Sequence, residues 1–395
     1  MARRVIVHVG VPKTGTSYVQ DRLFNNPASL AAQGVVYPGE RHDAHFLAAL
    51  DLMQLTWGGL ERQAVGAWDA LAAQVREAEG TAIISHEILG FASPAHVERA
   101  VASFGDAEVD VVVSVRDLVR QIPAEWQENV KHRRVLGFEE FLEQIRDPAR
   151  ETLISSWFWG VQEVPQILHR WSAAAPPART HVVTVPQPGA ARDLLWHRFA
   201  SVFGLDPDSL PEGTDRENTS LGVPETALLR RLNEQLNDVV PNERYRQFVR
   251  EYLVHQTLSK QQTSARLGVS PQVHAWASDL SRDWAAGIAE GGYDVVGDVA
   301  DLVPRDPLPW VDPDEPDEAE VADAGVRGLA AMTREAARLR DVEIELHAII
   351  DDLDAALQRF RGTRTYRAKE RLVRLADENP LARAGLGAFR AVRGR

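Results

Sequence analysis

Apolar and β-branched residues gather along the chain into short unbroken runs at 5–9, 82–85, 109–115 and 181–185, each bounded by turn residues, with a shorter run at 35–37. A strand reads this way, rather than as alternation, when both of its faces are buried. Between the runs, at 17–24, 64–77, 118–131 and 190–203, apolar positions recur every three or four residues, which predicts helices. Strands alternating with helices predict an α/β fold of three layers, a central and mostly parallel sheet with helices on both faces, and place a ligand at the carboxyl ends of the strands. From 224 to about 288 the spacing is helical only, as at Leu228, Leu229, Leu232 and Leu236.

Residues 304–325 break this pattern. Pro304, Pro307, Pro309, Pro313 and Pro316 stand among Asp and Glu, a composition that predicts a linker. Beyond it Leu329, Met332, Ala336, Leu339, Leu346, Ile350, Leu353, Leu357 and Phe360 recur at alternating spacings of three and four, interrupted at the seam only by Glu343. That is the pattern of a self-associating coiled coil. The predicted organisation is an α/β domain with its helical continuation at 1–303, a linker at 304–325, a coiled-coil helix at 326–361 and an amphipathic tail at 362–395.

Composition narrows the chemistry. The chain of 395 residues has no cysteine, which excludes disulfides, thiolate metal sites and cysteine nucleophiles and leaves catalysis to Lys, Arg, His and carboxylates. No apolar run approaches the length of a membrane span, and Met1-Ala2-Arg3-Arg4 leads straight into a strand, so a cytoplasmic placement is expected. A net charge of −13 argues against a nucleic-acid binder. The charge is uneven: residues 359–395 hold eleven Lys or Arg against three Asp or Glu. The basic tail 362–395 is open to two readings, peripheral docking on the anionic inner membrane surface or an acidic partner, and a solvated charged helix.

The sharpest local signal is Gly10-Val11-Pro12-Lys13-Thr14-Gly15-Thr16-Ser17, directly after the first strand and opening a helix. In that arrangement successive backbone N–H groups and the positive end of the helix face one anion. Gly10 and Gly15 permit the turn, Lys13 supplies a charge, and Thr14, Thr16 and Ser17 add hydroxyls. The phosphate loop G-x-x-x-x-G-K-[ST] has the same glycine separation, but here Thr16 stands where its lysine follows, and Lys13 lies inside the loop.

Pro12-Lys13-Thr14-Gly15-Thr16-Ser17, with Tyr18-Val19-Gln20 and Gly34-Val35-Val36-Tyr37-Pro38 downstream, resembles the 5'-phosphosulfate loop of bacterial sulfotransferases that use 3'-phosphoadenosine 5'-phosphosulfate (PAPS). The resemblance covers roughly residues 1–300. It implies a P-loop-NTPase-like fold and transfer of a sulfuryl group from PAPS to a hydroxyl or amine acceptor, with carbohydrate or glycolipid among the candidates. The loop would hold the 5' end of the donor. It further implies an arginine at a strand end for the 3'-phosphate, met by Arg116 after Val111-Val112-Val113-Ser114-Val115. The serine eight residues on is replaced by Ala124, with Ser114, Gln121 or Gln127 as substitutes, and pairing with Asp117 is the structural alternative for Arg116. The strand 82–85 ends in His86-Glu87, similar to the glutamate-bearing segment of carbohydrate sulfotransferases, which makes Glu87 or His86 the candidate general base. A transferring sulfuryl group carries less charge than a phosphoryl group, so Lys13 and backbone amides suffice and no metal is required.

His42, Asp43 and His45 lack the further partners of a metal site and are expected at the surface or facing the acceptor. Asn218-Thr219-Ser220-Leu221-Gly222 lies where the family has a loop over the nucleotide; a helix cap at Ser220 or Thr219 is the alternative. Most of Trp57, Trp126, Trp157, Phe158 and Trp159 are expected in the core. Two other functions fit parts of this pattern: a P-loop kinase acting on a small molecule, and a non-catalytic scaffold with a relic loop.

Overall fold

The computed structural model of the chain describes residues 2–211, 220–261, 264–307 and 309–378. The apolar runs form β1 (Ala2–His8), β2 (Val35–Val36), β3 (Gly80–Ser85), β4 (Glu108–Val115) and β5 (Thr180–Thr184). A further strand, β6 (Asp294–Val296), is absent from the sequence reading because a run of three residues gives no periodic signal. The order is β2-β3-β1-β4-β5-β6 and every neighbouring pair is parallel, which makes this the expected α/β sheet.

Burial follows from the composition of the strands. Ile6, Ile83, Val112 and Val183 form one core with Val19 and Leu23 of the helix Thr16–Asn25 and with Trp196, Phe199 and Phe203 of the helix Leu194–Phe203. The alternate residues Val5, Val7, Val111 and Val113 point to the opposite face and are equally buried. Helices Ala67–Glu77 and Val164–Trp171 pack on β1 and β4. The chain leaves β1 for one side of the sheet and later crosses to the other, so β3 and β4 flank β1. The carboxyl ends of these three strands therefore meet at the switch point where open α/β sheets bind ligands.

The 224–288 region is largely helical as expected, with helices Val223–Leu236, Tyr245–Leu258 and Pro271–Glu290. The second is wound with the wider π spacing over 14 residues, a conformation that usually persists for a single turn.

The compact body extends to residue 328, with a second unit at 329–395. The acidic stretch read as a linker is thus part of the body. Asp314 accepts the N–H groups of Phe138 (3.0 Å) and Glu139 (2.9 Å) at the start of the helix Phe138–Arg146 and pairs with Arg230. Arg231 binds Glu318 (2.6 Å), and the wholly buried Glu225 binds Arg327 (2.9 Å). Composition rules out an apolar core here, but it is blind to capping and to ion pairs with distant helices. Where described, the second unit consists of the remainder of the helix Glu318–Gly362 and the helix Arg364–Glu378; residues 379–395 of the basic tail lie outside the described residues. No helix among the described residues is long and apolar enough to cross a membrane.

Candidate active site

Between β1 and the helix Thr16–Asn25 the chain makes the turn that the glycines predict. Gly10 has φ +88°, and a Cβ there would stand 2.6 Å from the Glu87 backbone; Gly15 has φ +85° and would meet Leu195 at 2.7 Å. Lys13 adopts φ +65°, an uncommon conformation for a residue with a side chain. The loop is laced to the end of β4 by Val11 N–H to Ser114 O (2.8 Å) and Ser114 N–H to Gly10 O (2.9 Å). Thr14 Oγ1 donates to Val11 O (2.6 Å) and meets Ser114 Oγ (2.6 Å), so this hydroxyl holds the loop rather than facing out of it. Gly15 caps the following helix with no side-chain bond, which leaves its first N–H groups to the cleft.

Beneath the loop lies His8, which the sequence reading missed because it sits inside an apolar strand. The imidazole bridges Ser85 Oγ (Nδ1, 2.8 Å) and Ser114 Oγ (Nε2, 3.0 Å) and ties the ends of β3 and β4 together. Burial pushes it down to about 4, so it is neutral at physiological pH.

His86 and Glu87 emerge where β3 ends, and Glu87 opens a short 3₁₀ turn, Glu87–Phe91. Gln20 donates to Glu87 Oε2 (3.2 Å), and His86 Nδ1, which accepts the Ile88 N–H (3.3 Å), is 3.9 Å from the same oxygen. Burial opposes the charge on Glu87, yet His86, a backbone N–H, Gln20 and Lys13 together hold it below the usual carboxylate range; burial lowers His86. Near pH 7 both are in their basic forms.

Lys13 is bonded to Glu128 (2.6 Å), in the last turn of the helix Leu118–Lys131. Glu128 also meets Arg250 (3.1 Å), His132 (3.2 Å) and Lys131 (3.9 Å). Burial works against these charges, but Lys13 lies above and Glu128 well below the ordinary range because each faces the other. One turn earlier, burial pushes Glu125 up to about 7, with the Glu128 carboxylate adding to the push and Lys13 opposing it. Lys131, lowered to about 8 by burial, is nearly enclosed.

Arg116 stands at the end of β4, its Nη1 donating to Lys13 O (3.2 Å) and its buried Nε without a partner. It does not pair with Asp117, which accepts the Arg120 N–H (2.9 Å) as cap of the Leu118–Lys131 helix and binds the Arg120 guanidinium. Burial, then the charge of Arg120, lowers Arg116 to about 10. Arg120 also keeps a buried nitrogen, Nη2, unpartnered and lines the cleft.

Of the substitutes for the missing serine, Ser114 is held by His8 and Thr14, and Gln127 bonds Leu221 on both backbone sides (2.9 and 3.1 Å). Gln121 donates to Pro12 O (2.7 Å) and steadies the loop. The side chain the structure places beside Arg116 is Arg120, one helical turn further on.

The cleft in front of these groups has a volume of about 2560 Å³. Eleven Lys and Arg line it against eight Asp and Glu, the reverse of the balance in the whole chain, which suits an anionic ligand. Trp57 and Trp157, rings 5.4 Å apart, form part of its wall, while Trp126, Phe158 and Trp159 are core as expected. His42, Asp43 and His45 go separate ways: His42 pairs with Asp21, Asp43 with Arg41 (2.7 Å), and His45, expected at the surface or facing the acceptor, is buried against Pro38 O (2.6 Å). Among the described residues no group of three or more His, Asp or Glu gathers to hold a metal. Asn218 and Thr219 of the expected covering loop lie outside the described residues; Ser220 lines the cleft, and the helix Val223–Leu236 begins at Gly222 without a side-chain cap.

No protein-family model and no curated relative matches the chain. Solved structures similar to it include a sulfotransferase from Alicyclobacillus acidocaldarius, at 18% identity over 62% of this chain and 100% of that one, TM-score 0.38. A second is the sulfotransferase domain from the curacin biosynthetic pathway, at 12% identity over 51% of this chain and 74% of the other, TM-score 0.31. Likeness of that degree says nothing of activity, which has to be read from the side chains.

Proposed function

We propose that the protein is a sulfotransferase that uses PAPS as donor and a hydroxyl-bearing small molecule or glycan as acceptor. The observation that carries this reading is the pairing of two separate anion seats at the ends of adjacent strands: the uncapped helix start with Lys13, and Arg116 with Arg120. A nucleotide with one anionic group on its 5' side and another on its 3' side asks for two such seats. Donors left without partners, on Arg116 Nε and Arg120 Nη2, and a loop whose glycines leave no room for a Cβ fit that ligand.

In this reading the acceptor oxygen forms a bond to sulfur as the bond from sulfur to the 5'-phosphate oxygen breaks, leaving adenosine 3',5'-bisphosphate. Glu87, ionised and close to the loop, takes the acceptor proton, with His86 as the alternative base. Lys13 and the first N–H groups of the Thr16–Asn25 helix stabilise the charge that develops on the leaving oxygen. To act there Lys13 exchanges its bond to Glu128 for one to the donor, and Arg250, Lys131 and His132 keep Glu128 compensated while it does so.

The test is incubation of the protein with sulfur-labelled PAPS and a panel of hydroxyl acceptors, in parallel with terminally labelled ATP. Transfer from PAPS and not from ATP is expected. Transfer from ATP alone would make the protein a kinase, and nucleotide binding without any transfer would favour a relic site.

A further inference from the structure

We propose that the helix face from Ala336 to Leu353 is the seam of an antiparallel pair formed with a second copy of this chain. On this face Leu339, Leu346, Ile350 and Leu353 are exposed, the last three by half or more, and Val342 and Ile349 widen the stripe on one side. An isolated helix gains little in water from propensity alone, and a row of large aliphatic side chains is stable only when covered. The spacing of three and four sets Ala336, Glu343 and Ile350 in one seam row and Leu339, Leu346 and Leu353 in the other.

The occupant follows from what this face complements. In a parallel pair in register each seam residue meets its own copy, so Glu343 faces Glu343 and Ala336 faces Ala336. An antiparallel pair with its two-fold axis between Ile344 and Glu345 removes each conflict. Leu339 then meets the partner's Ile350, and Ala336 meets the partner's Leu353, small against large. Val342 lies beside the partner's Ile349. Glu343 opposes the partner's Leu346 with its stem only, because its carboxylate turns back onto Arg340 at 2.7 Å. The stripe is complementary to itself in this direction and in conflict with itself in the other.

These 395 residues hold no cysteine, which makes the test clean, since an introduced thiol is the sole thiol among them. Leu339→Cys and Ile350→Cys are prepared separately and oxidised alone and as an equimolar mixture. The mixture is expected to give a disulfide-linked dimer and each variant alone to stay uncrosslinked, because like positions in the antiparallel pair lie about 16 Å apart along the axis. Self-crosslinking of Leu339→Cys alone, or no crosslinking in the mixture, would overturn the proposal. Sedimentation equilibrium supplies an independent reading. The unmodified chain is expected to be a dimer and the Leu346→Glu/Ile350→Glu variant a monomer with an unchanged melting transition for the first unit. A monomeric unmodified chain, or a variant that still dimerises, would equally overturn it.

Discussion

Lys13 is the side chain on which the proposed chemistry leans most. Lys13→Ala is expected to lower turnover on the order of a hundred- to a thousandfold, as loss of one donor to a developing oxyanion does, while the melting temperature stays near that of the parent. A variant that keeps turnover would remove Lys13 from the reaction. Glu125 makes a prediction that does not depend on any substrate. Its carboxyl titrates near 7 in the folded chain against 4.5 when unfolded, so the folded state prefers it protonated. The resulting penalty is absent below about pH 4.5, grows as pH rises, and is complete above about 7, where it amounts to something on the order of 3 kcal/mol. Glu125→Gln, isosteric and still able to accept from Gln162, is therefore expected to be more stable than the parent in denaturant melts above neutrality and equal to it in acid. A Gln variant that is less stable at every pH would contradict this. Neither Glu125 nor the cation group around Glu128 was legible in the sequence: Glu128 and Arg250 are 122 residues apart and meet only because two helices face one cleft. That Lys13, Arg116, His86 and Glu87 would line one cleft was legible because each follows a strand that the apolar runs already marked.

The loop after β1 fixes its own geometry at Gly10 and Gly15, and the element can be tested there. Gly10→Ala pushes a Cβ into the Glu87 backbone at 2.6 Å and forces a side chain into φ +88°, a strain of the order of 1–2 kcal/mol before any clash is counted. The variant is expected to lose stability by at least that amount in urea titrations and to lose nucleotide binding as the loop shifts; unchanged binding would mean that the loop does not hold the ligand. A second element, the acidic stretch before the long helix, was misread from composition. Asp314 caps the Phe138–Arg146 helix and neutralises Arg230, so Asp314→Ala is expected to cost about 1–2 kcal/mol in the same titration. No measurable cost would return the segment to the status of a linker. Strands of five or more residues announced themselves by their valines and isoleucines. Asp294–Val296 did not, and it joins the sheet through register with His181–Val183, a long-range pairing with no local signature.

At the scale of the molecule, an acidic chain holds a cleft whose lining is basic, and the basic residues come from the segments after β1 and β4 and from the helices Leu118–Lys131 and Tyr245–Leu258 rather than from one motif. That contrast argues for an anionic ligand, and the proposed function assigns one of its anionic groups to Lys13 and the other to Arg116. Titration calorimetry with adenosine 3',5'-bisphosphate, 5'-AMP and magnesium ATP tests the claim without knowledge of the acceptor. The account predicts that the bisphosphate binds roughly tenfold or more tightly than 5'-AMP, that Arg116→Ala abolishes this difference, and that magnesium ATP gains nothing over 5'-AMP. Equal affinity for the bisphosphate and 5'-AMP in the unmodified protein, or tighter binding of magnesium ATP, would contradict it.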